Sequence, residues 1–215
     1  MNPHPAPSQS PAGQAALPAD RFGHSGAQPG SVEFLRGFLR HPARVGSVIP
    51  SSRHLEQRLV RQARLGQARS VVELGPGTGG TTAAFLRAMP AAAQLLAIEL
   101  DPHFHRHLRA TLGDARLSLQ LGSAEQLASH LAEHAMPAPD AIVSGIPFST
   151  MPPALADRIA AAVAGALRPG GRFVAYQVRA HVAGFAAPYL GRPEKSWELL
   201  NVPPVRVFTW VKPGA

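Results

Sequence analysis

The sequence predicts a doubly wound α/β fold with a mostly parallel sheet, and three observations carry that prediction. From residue 70 onward, short apolar runs alternate with amphipathic stretches of helical period. The first run, Ser70-Val-Val-Glu-Leu74, passes directly into Gly75-Pro-Gly-Thr-Gly79, the kind of turn that joins a strand to a helix beside a ligand crevice. Near the C-terminus two β-rich stretches flank Pro203-Pro204, as expected of an antiparallel pair at a sheet edge.

Taken in order, residues 1–30 are rich in Pro, Ala, Gly and Ser, and such a stretch lacks the apolar surface needed to order itself. It has no basic region followed by an apolar one, so no signal peptide is read there. No apolar run approaches the ~20 residues that span a bilayer. In residues 31–40, Val32, Phe34, Leu35, Phe38 and Leu39 share one helical arc, and Glu33, Arg36, Gly37 and Arg40 the other. Pro42 stops that helix. A second helix is expected from Ser51 or Ser52 to about Leu65, with Leu55, Leu59, Val60 and Ala63 on its apolar side. Residues 31–69 form a basic amphipathic region with two open readings, a surface that docks on an anionic membrane and a lid packed on the domain. The docking reading assigns membrane contact to Phe34, Leu35, Arg36, Phe38, Leu39 and Arg40.

Within 70–215, strands are expected at 70–74, 94–99, 116–121, 140–144 and 172–178, and helices at 81–89, 102–112, 124–134 and 152–167. The closing pair is placed at 197–202 and 205–211.

The net charge is +8 and nearly all the basic residues are Arg, with Lys only at 195 and 212. That balance points to an anionic partner, either a lipid surface or a nucleic acid. The absence of Cys excludes disulfides and thiolate metal sites. His103, His105 and His107 lie close together, but without Cys partners they read as solvated helix residues, and no metal is expected.

Gly75, Gly77 and Gly80 satisfy the loose G-x-G-x-x-G spacing of dinucleotide sites, a weak signal alone. Three features favour S-adenosylmethionine over a nicotinamide cofactor. Glu73 stands just before the glycines, where a carboxylate meets an amino-acid ammonium directly or through water. Glu99 ends the second strand, placed to accept two ribose hydroxyls. The C-terminal strand pair closes the sheet.

On these residues the chain resembles the Rossmann-like class I S-adenosylmethionine-dependent methyltransferases. Glu73-x-Gly-x-Gly-x-Gly79 matches their first motif and Ile98-Glu99-x-Asp101 their second. The resemblance implies cofactor contacts from Glu73, Gly75, Pro76, Gly77, Thr78, Gly79, Glu99, Leu100, Ser123, Ala124 and Ser144. One departure is Gly122-Ser123-Ala124, where the family often carries an acid that contacts the adenine amine; Ser123 is the weaker acceptor.

The substrate segment reads Ser144-Gly-Ile-Pro-Phe-Ser-Thr-Met-Pro152. Methyltransferases of rRNA adenine resemble Asn-Leu-Pro-Tyr there, but Gly145 and Phe148 stand where the Asn and the Tyr would be. The segment is similar instead to that of short bacterial phospholipid N-methyltransferases, as are Phe34-Leu-Arg-x-Phe-Leu-x-x-Pro-x-Arg-Val-Gly46 and Asn201-x-Pro-Pro-x-Arg-Val207. This likeness implies methyl transfer to the amine of phosphatidylethanolamine and its methylated derivatives, at the inner face of the cytoplasmic membrane. The alternatives are another aminolipid or small amine, and rRNA adenine.

Gly145, Ile146, Pro147, Phe148 and Tyr176 are the candidate catalytic residues. Phe148 reads either as a cation–π partner of the developing ammonium or as a core residue. Tyr176 reads either as a group pointing into the site or as a rim aromatic. Arg53, Arg179 and Arg206 are candidates for the lipid phosphate, with solvated surface charge as the alternative for each.

Overall fold

Apolar and β-branched runs set most of the strands Ser70–Leu74 (β1), Gln94–Glu99 (β2), Leu117–Leu121 (β3), Ala141–Ser144 (β4), Arg172–Gln177 (β5) and Val205–Val211 (β7), and the polar Glu194–Glu198 (β6) pairs at the edge. The computed structural model describes residues 51–214, together with Met1. The 1–30 leader and the 31–40 helix, with all six proposed membrane-contact residues, lie outside the described residues.

The strands form one sheet in the order β3-β2-β1-β4-β5-β7-β6. β1 to β5 are parallel, while β7 runs antiparallel to both β5 and β6. Connections leave β1 toward β2 on one side and reach β4 on the other, so the order reverses between β1 and β4. A crevice opens at the carboxyl ends of strands at such a point. β1 is buried along its whole length, as a central strand covered on both faces must be.

The two faces carry separate cores. Val72, Leu74, Leu96 and Phe173 pack against Leu127–Glu133 (α4), Pro153–Ala166 (α5) and His181–Leu190 (α6). Trp210 stacks on Phe173 at 5.0 Å in the same layer. On the opposite face Val71, Leu95, Val143 and Val174 pack against Arg53–Gln62 (α1) and Gly80–Ala88 (α2). Pro102–Thr111 (α3) buries Leu108. Asp101 caps its start by accepting from the His103 N–H at 2.7 Å.

α1 begins where Ser52 Oγ accepts from the Leu55 N–H at 3.2 Å. Its buried Leu55 and Leu59 belong to the same core as β1. Packing on the domain therefore accounts for the apolar side of this helix.

Three assignments depart most from expectation. β6 occupies 194–198 rather than 197–202, and residues 199–204 form a loop with a cis Val202–Pro203 bond. The sixth helix, α6, was not anticipated; Gly184 and Pro188 within it obscure the periodicity. The 124–134 helix begins with a 3-10 turn, Ala124–Gln126, and becomes α-helical only at Leu127.

Candidate active site

A cavity of about 580 Å³ opens at the carboxyl ends of β1, β2, β4 and β5. Its floor is the glycine turn. Gly75 and Gly77 have φ of +73° and +57°, a region L-residues with a Cβ rarely enter. A Cβ at Gly77 would meet nothing within 4 Å, so that side of the loop faces open space. Gly75, Pro76, Gly77 and Thr78 line the cavity together with Gly80 and Thr81. Gly79 is not on the wall. It caps α2 with φ +85°, and a Cβ there would stand 2.6 Å from Leu108 Cδ2. Its role is the close approach of α3.

Glu99 reaches the cavity from the tip of β2. One oxygen accepts from the Gly77 N–H at 3.0 Å and the other from the Asp101 N–H at 2.9 Å. Burial raises its pKa, and the backbone donors hold it partly back. A carboxylate has more acceptor positions than these donors fill and this one faces the cavity, so it suits a vicinal diol. Ile98, Leu100, Phe104, Gly122 and Ala124 line the cavity as well, a small and largely apolar set suited to a planar base. This chemistry fits a nucleoside such as that of adenosylmethionine.

Glu73 shares a sheet face with Glu99 but lies deeper, in register with Ala97, and is buried off the cavity wall. Its carboxylate accepts from Thr81 Oγ1 and, at 2.7 Å, from Thr82 Oγ1. Burial pushes its pKa up to about 7, against the lowering effect of the two hydroxyls. Its two oxygens thus each accept a hydroxyl of α2. Thr81, on the wall, stands between Glu73 and the cavity. Two other expected cofactor contacts are also internal. Ser123 caps the 3-10 turn, its Oγ accepting from the Glu125 N–H at 3.4 Å, and Ser144 Oγ accepts from the Ile146 N–H at 3.3 Å. Neither side chain is on the wall; Ala124 is.

Gly145, Ile146 and Pro147 form the wall beyond β4. A Cβ at Gly145 would stand 2.4 Å from the Tyr176 hydroxyl and 3.2 Å from the Gly75 carbonyl oxygen. The glycine therefore makes room for the tyrosine. Tyr176 lines the cavity, and its hydroxyl is held by the side chains of Thr81 and Ser51. Burial and then the nearby Glu73 charge raise its pKa well above that of a free phenol. It is a hydrogen-bonding group that stays protonated, not a base.

Phe148 is a correction. It is fully buried, part of the α5/α6 core, with the Phe185 ring 6.4 Å away, and is absent from the cavity wall. A stack on a developing ammonium is excluded in this arrangement.

Of the three candidate phosphate ligands, Arg179 alone lines the cavity, at its rim. Arg53 is exposed on α1 off the wall, and Arg206 lies over the Trp197 ring at 4.6 Å. Sequence reasoning missed Gln177, whose Nε2 donates to the Ile146 carbonyl oxygen at 2.6 Å and braces the wall segment. It also missed Ser51, Thr150 and Val205 on the wall. Among the described residues no group of His, Asp and Glu could hold a metal ion, and no helix is long and apolar enough to cross a membrane.

Comparison with known proteins agrees with this geometry. A methyltransferase domain family matches residues 71–171. An ornithine lipid N-methyltransferase of Singulisphaera acidiphila is 32% identical over 141 residues, 65% of this chain and 73% of that protein. Ribosomal RNA small subunit methyltransferase A of Corynebacterium jeikeium is 32% identical over 105 residues, but this chain spans only 32% of its length. Among solved structures, a putative O-methyltransferase from Klebsiella pneumoniae superposes with a TM-score of 0.62 over 86% of this chain and 90% of that one, at 21% identity. The O-methyltransferase TomG from Streptomyces achromogenes, in complex with SAM, gives a TM-score of 0.62 over 86% and 90% at 17% identity. These likenesses speak for the fold.

Proposed function

The chain belongs to the class I S-adenosylmethionine-dependent methyltransferases, and from that premise we propose that it N-methylates the amine head group of a membrane lipid. Phosphatidylethanolamine with its methylated derivatives is one acceptor of this class, and an ornithine lipid, the substrate named in the similar Singulisphaera enzyme, is the other.

The observation that carries this reading is the acceptor wall. Gly145 presents no side chain, its space is taken by the Tyr176 hydroxyl, and Phe148 is turned into the core. The segment after β4 thus offers neither an amide nor an aromatic face of its own to grip a nucleobase. Ile146, Pro147, Val178, Pro203 and Val205 make this side of the cavity apolar, with the cationic Arg179 at the rim. An acceptor with a small amine, an adjoining phosphate or carboxylate and an apolar body suits these walls.

The cofactor supplies an electrophilic methyl group on a sulfonium. The glycine turn and Glu99 orient the nucleoside, and the 145–147 wall, braced by Gln177, bounds the space for the amine. Alignment of the reacting atoms does most of the work in such a transfer. Among the described cavity-lining residues none is placed as a base: Glu99 is held by backbone N–H groups at the nucleoside end and Tyr176 stays protonated. The amine therefore loses its proton to water at the open rim before transfer.

The test is incubation of the full chain with methyl-labelled adenosylmethionine and, separately, phosphatidylethanolamine vesicles, ornithine-lipid vesicles and small-subunit rRNA. Label in either lipid supports the reading and identifies the acceptor. Label in RNA alone overturns it.

A further inference from the structure

The loop between β6 and β7 is built inside out. Glu198, which ends β6, and Asn201 within the loop are 4% and 0% exposed, whereas Leu199, Leu200 and Val202 are 69%, 63% and 85% exposed. Soluble surfaces arrange such residues the other way round.

The inversion is fixed by specific bonds. Glu198 Oε2 accepts from Arg58 Nε at 2.8 Å, and its Oε1 accepts from the Leu200 N–H at 3.1 Å. Asn201 Oδ1 accepts from the Ser52 N–H at 2.9 Å, while its Nδ2 donates to the Pro203 carbonyl oxygen at 3.0 Å. The polar side chains are thus consumed in anchoring the loop to α1, and the apolar ones are left outside. A contiguous apolar projection on a water-exposed loop marks a contact site.

Its position and charge indicate what it contacts. The loop ends at the cavity: Pro203 and Val205 line it, and Val178 and Arg179 form the rim beside them. Val178 is itself exposed. Trp197, half exposed, stands just before the loop with Arg206 on its ring. An aromatic at the edge of an apolar tip, with Arg179 and Arg206 behind it, matches the layering of a bilayer interface with anionic head groups.

We propose that residues 199–202 insert into an anionic bilayer as an apolar wedge, with Trp197, Arg206 and Arg179 at head-group level, so that the cavity mouth opens onto the lipid surface. This rests on the lipid reading given above and adds to it the surface through which the acceptor enters.

The sequence holds only two Trp residues, and Trp210 is fully buried in the core, so Trp197 reports on the loop alone. The experiment uses the full chain with phosphatidylglycerol/phosphatidylethanolamine vesicles carrying brominated acyl chains. Tryptophan emission is expected to shift to the blue and be quenched, and Trp197→Phe to abolish both effects. The triple variant Leu199→Ser/Leu200→Ser/Val202→Ser is expected to lower vesicle partitioning about tenfold or more. Its circular dichroism and its activity on lipid dispersed in detergent should match the wild type.

Wild-type chain that sediments with vesicles while Trp197 stays unquenched overturns the wedge and leaves the lipid reading standing. So does a triple variant that partitions unchanged but loses self-association, since the patch would then join two copies of the chain. Protection of Trp197 from acrylamide in the vesicle-free full chain, where its half exposure predicts ready quenching, also overturns it. Failure of label to enter any lipid, even in detergent, overturns the parent reading instead.

Discussion

Replacing Gly145 by Ala isolates the contact on which the acceptor wall depends. Gly145 has no positive φ, so its backbone tolerates any L-residue and only space is at issue. The new Cβ would lie 2.4 Å from the Tyr176 hydroxyl and 2.9 Å from the ring carbon that bears it. Relief of that overlap requires the ring or the 145–147 segment to shift by about 1 Å in a close-packed site. The ring is not free to swing, because Thr81 and Ser51 hold its hydroxyl. Overpacking of this kind costs about 2 kcal/mol, which lowers the melting temperature by roughly 4–8 °C in a domain of this size. Turnover should fall by tenfold or more, since small misplacements are costly in a transfer that depends on alignment. The control is Tyr176→Phe, which removes the nearest atom. In that background Gly145→Ala should cost about 1 kcal/mol less, a coupling that a double-mutant cycle by thermal denaturation resolves. Strict additivity of the two substitutions, or a Gly145→Ala chain with wild-type melting and turnover, would refute the proposed packing.

Other outcomes follow from the same geometry. Glu99→Gln keeps one acceptor for two backbone N–H groups and turns an amide N–H toward the other, so calorimetry with adenosylhomocysteine should show affinity reduced about 10–100-fold. Glu73 has a folded pKa raised to about 7 from 4.5, so its stabilising proton is held below the unfolded value and lost as pH rises through 7. Glu73→Gln should therefore flatten the wild-type decline in unfolding free energy between pH 5 and 8, which is on the order of 3 kcal/mol. Phe148→Leu should retain the wild-type kcat, while Phe148→Ala should cost about 3–5 kcal/mol of stability in denaturant titration; a Leu variant that folds normally but loses kcat would restore a direct role for the ring. Because no wall residue among those described serves as base, kcat/KM should climb with pH until the amine's own pKa and then level off. A falling acidic limb that disappears on mutation of a wall residue would refute proton loss to water.

Most of the sheet is legible from the chain because β1, β2, β4 and β5 are short apolar runs bounded by turn residues. The edge is where the reading slips. Glu194-Lys-Ser-Trp-Glu198 pairs as β6 despite its polarity, since an edge strand leaves one side to solvent. The more apolar 199–202 stretch attracted the strand assignment, yet its apolar side chains point outward from a loop. The site divides in a similar way. Gly75, Gly77 and Glu99 follow from motif spacing, and the structure puts all three on the cavity wall. Glu73 satisfies the same motif and faces the same side of the sheet as Glu99, but it sits deeper, in register with Ala97, where Thr81 and Thr82 of α2 cover it. Ser123 and Ser144 are diverted by local backbone donors, which compete for any short hydroxyl beside a turn. Gln177 gave no signal, because its partner is a backbone carbonyl 31 residues away.

The bond between the Ser52 N–H and Asn201 has a practical corollary. It fixes Ser51 and Ser52 beside the entrance, so a fusion partner joined directly at Ser51 would crowd the route by which acceptors arrive. β7 runs the other way and delivers the chain to Lys212, whose ammonium donates to the carbonyls of Ala164 and Leu167 at the far end of α5. A purification handle or fluorophore attached beyond Lys212 would sit a full strand length from the chemistry.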